Sequence, residues 1–111
     1  MHVLLINGSP HEKGCTYTAL SLVAGELNAA GITTEILNVG TKPVGGCIGC
    51  GGCAKGNGCV FGGVVNEAIE KARTADAFVF GTPVHYASAS GNMTSFMDRL
   101  AYAGGKYLAY K

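Results

Sequence analysis

Val3, Leu4, Leu5 and Ile6 follow one another without a polar break and are closed by Asn7-Gly8-Ser9-Pro10, the pattern of a strand buried on both faces that ends in a turn. Ala19, Leu20, Val23, Ala24 and Leu27 then recur at helical spacing, and Gly31 stands where a helix stops. Thr33 to Val39 is short and β-prone, which predicts a second strand. A loop over 40–63 follows, and Val64, Val65, Ala68, Ile69 and Ala72 mark a second amphipathic helix. Ala77 to Phe80 predicts a third strand, closed by Gly81-Thr82-Pro83. Met93, Phe96, Met97, Leu100 and Ala101 define a third helix with Asn92 as its expected N-cap, and Tyr107 to Tyr110 reads as the start of a fourth strand. Alternating strands and helices with near-continuous apolar strands predict an α/β fold, a parallel sheet with right-handed crossovers and helices on both faces. In such open sheets ligands bind beyond the carboxyl ends of the strands where strand order reverses, so the loops after the first and third strands are the candidate binding loops.

The 111 residues suit one domain, 1–111, that buries about two thirds of its unfolded surface and needs no covalent staple. A formal net charge of +1, with 14% charged residues and no basic run, leaves no electrostatic footprint for nucleic acid or an anionic membrane, and neither is expected as a partner. No cationic segment precedes the apolar run at the start, and no stretch approaches the roughly 18 apolar residues of a membrane span. A soluble, cytoplasmic protein is the expectation. The 18 glycines gather at turns and in the 45–63 loop without any repeat period.

That loop carries the densest chemistry in the chain. Cys47, Cys50, Cys53 and Cys59 form a C-x2-C-x2-C-x5-C array, and the glycines among them admit the positive φ angles that let several thiolates turn toward one point. In a chain of intracellular pattern this reads as metal ligation or redox chemistry before a disulfide framework. Iron–sulfur ligation and tetrahedral zinc both suit four thiolates, and free thiols in a loop are the plainer alternative.

The first binding loop, Gly8 to Thr16, runs directly into the first helix, where backbone N–H groups and hydroxyls would meet a phosphate at the positive end of the helix. An ordinary N-cap at Cys15 or Thr16 is the competing reading. A Walker A loop is excluded, because Gly8 and Gly14 are six apart and no Lys-Ser/Thr pair follows Gly14. The second loop, Gly81 to Asn92, sets a proline turn and two ring side chains, His85 and Tyr86, at the same edge, a surface suited to a flat heteroaromatic ligand. Cover over the sheet edge is the competing reading for those two rings.

Three motifs stand in order: N-G-S-P-x-x-x-G-x-T after the first strand, C-x-G-C-G-x-C-x-x-G-x-G-C before the second helix, and G-T-P-V-x-Y-x-x-x-S-G-x-M-x-x-F-x-D-R after the third strand. Together they resemble the NADPH-dependent FMN reductase-like flavoproteins, and the cysteine array is similar to that of their iron–sulfur branch. The resemblance runs from Val3 to about Leu100 and implies a flavodoxin-like three-layer α/β/α fold with FMN at the carboxyl edge of the sheet. It implies that Ser9, His11, Gly14, Cys15 and Thr16 surround the FMN phosphate, that Pro83, Val84, His85, Tyr86 and Gly91 lie along the isoalloxazine, and that Cys47, Cys50, Cys53 and Cys59 ligate a [4Fe–4S] cluster. His11 stands where many relatives have arginine, and Cys15 where many have asparagine or serine.

The resemblance also implies two further strands, so a chain ending at Lys111 is expected to be C-terminally shortened, with an open apolar sheet edge that favours a homodimer or higher homo-oligomer. The function it implies is FMN-dependent oxidoreduction, with NAD(P)H or ferredoxin as donor and a small molecule or free flavin as acceptor. No catalytic acid or base is assigned, since the cofactor carries the chemistry. An electron carrier without an enzymatic role and a zinc-binding interaction module are the alternatives.

Overall fold

The computed structural model describes residues 1–111. Its elements are β1 (His2–Asn7), α1 (Cys15–Ala29), β2 (Thr33–Asn38), a single 3-10 turn (Gly52–Lys55), α2 (Val64–Ala72), β3 (Ala77–Gly81), a two-residue hairpin of β4 (Val84–His85) and β5 (Ser88–Ala89), and α3 (Gly91–Leu108). The main sheet is parallel in the order β2-β1-β3, with Leu4 level with Glu35 on one side and Phe78 on the other. β1 is therefore central, which explains its unbroken apolar run: successive side chains enter opposite cores. Val3 and Leu5 pack with Leu20 and Ala24 of α1, while Leu4 and Ile6 join Val65, Ile69, Met93, Phe96 and Leu100 of α2 and α3. The flavodoxin-like, three-layer order is present in these elements.

Gly31 ends α1 as expected, with φ +83. The buried stripe of α1 is narrower than the periodicity suggests, because Leu20 and Ala24 are buried whereas Ala19 and Val23 face solvent. The cap of α1 is neither Cys15 nor Thr16 but Gly14, without a side-chain cap bond. The cap of α3 is Ser90, whose Oγ accepts from Met93 N–H at 3.2 Å; Asn92 lies inside the helix instead. Nor is there a fourth strand at Tyr107 to Tyr110, since α3 continues to Leu108. Gly104 explains the difference. A Cβ there would lie 3.0 Å from Ile69 Cγ1, so the glycine brings α3 close against α2 and does not end the helix.

β3 is an outer strand with Phe80 partly exposed and stacked on Phe78 at 6.4 Å between ring centres. At the other edge Lys71 of α2 donates to both carboxylate oxygens of Glu35, at 2.7 and 2.9 Å, which fixes α2 over β2. No helix is long and apolar enough to cross a membrane.

Candidate functional site

The first loop is organised by a residue that the motif contains but the sequence gives no reason to single out. Asn7, fully buried at the end of β1, accepts from Ser9 N–H at 3.1 Å and donates to Asn38 Oδ1 at 2.9 Å. Ser9 Oγ, also buried, accepts from His11 N–H at 3.1 Å and keeps its own proton uncommitted. The helical ladder of α1 begins with Thr18 N–H donating to Gly14 at 3.0 Å, so the amides of Cys15, Thr16 and Tyr17 have no acceptor within the helix. No acidic side chain stands in the first turn of α1. An uncapped helix start beside a free hydroxyl suits an anion. His11 and Cys15 are exposed at this mouth, and Thr16 is half-buried.

The second loop is a hairpin whose turn residues, Tyr86 and Ala87, have φ of 49 and 61. Non-glycine residues in the left-handed region cost about 1 to 2 kcal/mol each, and such strain concentrates at ligand clamps. The strained turn holds the Tyr86 ring wholly in solvent, with Val84 and His85 exposed beside it and Pro83 half-buried behind. Gly91, at the start of α3, has open space around its Cα.

Two contacts weld the loops together. Gly8 N–H donates to Gly81 O at 2.8 Å, and Ser90 Oγ reaches Gly8 O at 3.4 Å while its amide donates to Thr82 Oγ1 at 3.0 Å. The close approach requires glycine at 8, since a Cβ there would lie 2.6 Å from Met93 Cε and 3.1 Å from Gly81 O. The expected flavin-binding residues therefore lie on two adjacent loops at the carboxyl ends of β1 and β3 and on the first turns of α1 and α3 that follow them, on either side of a short hydrogen-bonded seam.

The cysteine loop starts from the same corner. Asn92 Oδ1 accepts from Val44 N–H at 3.0 Å and its amide donates to Lys42 O at 3.1 Å, which ties the loop entrance to the first turn of α3. Cys47, Cys50, Cys53 and Cys59 all line one small concavity of about 20 Å³ with Phe61, Arg99 and Tyr102. All four are free, and no three metal-ligating side chains converge closely enough to hold an ion in this conformation. The donor set nevertheless fits a thiophilic metal centre: four sulfurs and no carboxylate or imidazole face the concavity, and Gly49, Gly51, Gly56 and Gly58 take positive φ between them.

Cys59 is the most firmly placed of the four. Asn66 grips its backbone with both halves of its amide, at 2.8 Å to the N–H and 2.8 Å to the carbonyl, and Arg99 Nε donates to its sulfur at 3.2 Å. Burial by itself would raise the thiol pKa; the Phe61 and Gly62 amides and the Arg99 guanidinium outweigh it and hold Cys59 below the ordinary value. Asn66 and Arg99 carry no sequence signal for this role. Arg99 appears only as the last residue of the third motif, and a charged residue is ordinarily read as solvent-facing.

The family profile of NADPH-dependent FMN reductases matches residues 1–111. Two curated relatives are an iron-sulfur flavoprotein of Methanocaldococcus jannaschii, 31% identical over 89% of this chain and 51% of its own, and one of Archaeoglobus fulgidus, 33% identical over 89% and 48%. This chain thus spans about half the length of the curated relatives it matches. Among solved structures, an NAD(P)H:quinone oxidoreductase from Methanothermobacter marburgensis superposes with a TM-score of 0.71 over 94% of this chain and 54% of its own, at 21% identity, a likeness of fold. With a profile match along its whole length, the chain belongs to the NADPH-dependent FMN reductase family.

Proposed function

We propose that the chain carries the FMN site of a flavin-dependent oxidoreductase and that its cysteine loop holds a metal centre beside it. The observation that carries this reading is the seam between the two loops, where an uncapped helix start and a strained, ring-bearing hairpin face the same edge. Ser9, with Gly14, Cys15 and Thr16 at the start of α1, holds the phosphate through amides and hydroxyls. His11 stands exposed at the mouth of this loop beside them. Pro83, Val84, His85 and Tyr86 line the flat ring, and Gly91 leaves room where it meets α3. The redox chemistry is what FMN supplies when bound, and these residues orient it and limit its exposure to water. No side chain is required to move a proton.

Cys47, Cys50, Cys53 and Cys59 would hold a [4Fe–4S] cluster, with zinc as the other metal that four thiolates accept. Donation by NAD(P)H or ferredoxin, and acceptance by a quinone-like small molecule or free flavin, complete the proposed reaction. Assembly as a homodimer or higher homo-oligomer belongs to the same proposal. A cytoplasmic location fits this chemistry. One anaerobic absorption spectrum with iron and zinc analysis tests the reading. Flavin bands with a broad iron–sulfur shoulder support it, flavin alone removes the cluster, and zinc without flavin sinks the enzyme.

A further inference from the structure

Arg99 is only 7% exposed, yet neither ion pair of the structure includes it: these are Lys71 with Glu35 and Arg73 with Glu70. A buried cation without a counter-charge costs several kcal/mol, so the environment of this guanidinium must supply one. Its partners are Gly45 O at 3.4 Å, Gly62 O at 2.9 Å and Cys59 Sγ at 3.2 Å. The two carbonyls bracket the segment that contains all four cysteines. The concavity that the cysteines line contains one charged residue, and it is Arg99. The groups there able to become anionic are the four cysteine sulfurs and the Tyr102 phenol, and the one that Arg99 touches is the sulfur of Cys59.

We propose that Arg99 is the positioning residue of the cysteine centre. It closes the loop by holding both ends against α3, and it sets a fixed cation against one ligand, which makes the assembled centre easier to reduce. This rests on the iron–sulfur reading of the four cysteines. Hydrogen bonds to the ligand sulfurs and the local charge set the potential of such centres, and a fixed cation favours the more negative, reduced state. Lysine would keep the charge but could not span two carbonyls and a sulfur, because it lacks the planar fork.

The test compares the 111-residue chain with Arg99→Lys and Arg99→Gln. Each is reconstituted anaerobically with ferrous iron and sulfide, analysed for iron and sulfide, and titrated for midpoint potential. Hydrogen–deuterium exchange is followed on the metal-free chains. Arg99→Gln is expected to assemble less cluster, and the fraction that assembles to titrate at a more negative potential; Arg99→Lys is expected to recover the potential more fully than the cluster content. In the metal-free Arg99→Gln chain, exchange in 44–63 should accelerate about tenfold or more while β1 and α1 stay unchanged. Equal potentials in all three proteins at matched iron content overturn the proposal, and so does unchanged exchange in 44–63. Should Arg99→Gln fail to fold, Arg99→Lys decides: wild-type iron content and exchange would overturn loop closure by the fork. A wild-type chain that takes up no iron refutes the metal reading and the electrochemical half of this one, and the exchange data then decide loop closure alone.

Discussion

Ser90→Ala removes one oxygen from the point where the two candidate flavin loops and α3 meet. In the wild type Ser90 Oγ caps α3 through Met93 N–H at 3.2 Å, reaches Gly8 O at 3.4 Å and lies 3.3 Å from Thr82 Oγ1. Loss of a serine cap costs about 1 kcal/mol. The other two contacts are long and therefore weak, about 0.5 kcal/mol each, but Ser90 is 5% exposed and water does not readily replace them. The expected loss is about 2 kcal/mol, which for a domain of this size lowers Tm by roughly 8 °C. Thr94→Ala is the control, since Thr94 Oγ1 bonds Gly91 O at 3.1 Å from an exposed position and should change stability by less than about 0.5 kcal/mol. Thermal and urea unfolding, followed by far-UV circular dichroism, measure both variants. A Ser90→Ala protein that unfolds within about 0.5 kcal/mol of Thr94→Ala would show that the hydroxyl does not join the loops.

Gly8→Ala should destabilise by about 1 to 3 kcal/mol, since its methyl would press on packed Met93 and on Gly81 O; urea midpoints read this directly, and a neutral result would mean that the seam is looser than drawn. Tyr86→Ala should leave stability within about 0.5 kcal/mol, because the ring touches only solvent, yet weaken FMN binding about tenfold in a fluorescence titration. Cys59 predicts a pH dependence. Its folded pKa lies below the ordinary 9.0, so the native state holds fewer protons than the unfolded chain between the two values. Stability from this group is therefore present at high pH and lost as pH falls through the folded pKa. Urea midpoints of the metal-free chain should rise more between neutral pH and pH 9 than those of Cys59→Ser, and parallel curves would contradict the assignment.

Most of the sheet is legible in the sequence because burial on both faces leaves an unbroken apolar run at Val3 to Ile6, and a helix on one face leaves a spacing at Val65, Ala68, Ile69 and Ala72. The end of α3 is not. Tyr107 to Tyr110 reads as a strand, whereas Gly104 lets α3 touch α2 and the helix runs on to Leu108, a contact that a sequence does not display. Capping is ambiguous for a related reason. Ser90 and Asn92 are both good caps, and the tertiary demand for an amide at Val44 and Lys42 assigns Asn92 elsewhere. Loop residues expected to bind flavin are visible as motifs, whereas the residues that fix them, Asn7, Asn66 and Arg99, act through partners 31, 7 and 40 positions away. Their roles exist only after folding.

The account's central claim is a flavin site built from the loop after β1 and the hairpin after β3. Parallel titrations of the 111-residue chain with FMN and with riboflavin, followed by quenching of flavin fluorescence, test it most directly. The account predicts saturable quenching by one FMN per chain and markedly weaker binding of riboflavin, which lacks the phosphate that α1 would hold. Equal affinity for the two flavins, or no quenching by either, would contradict it.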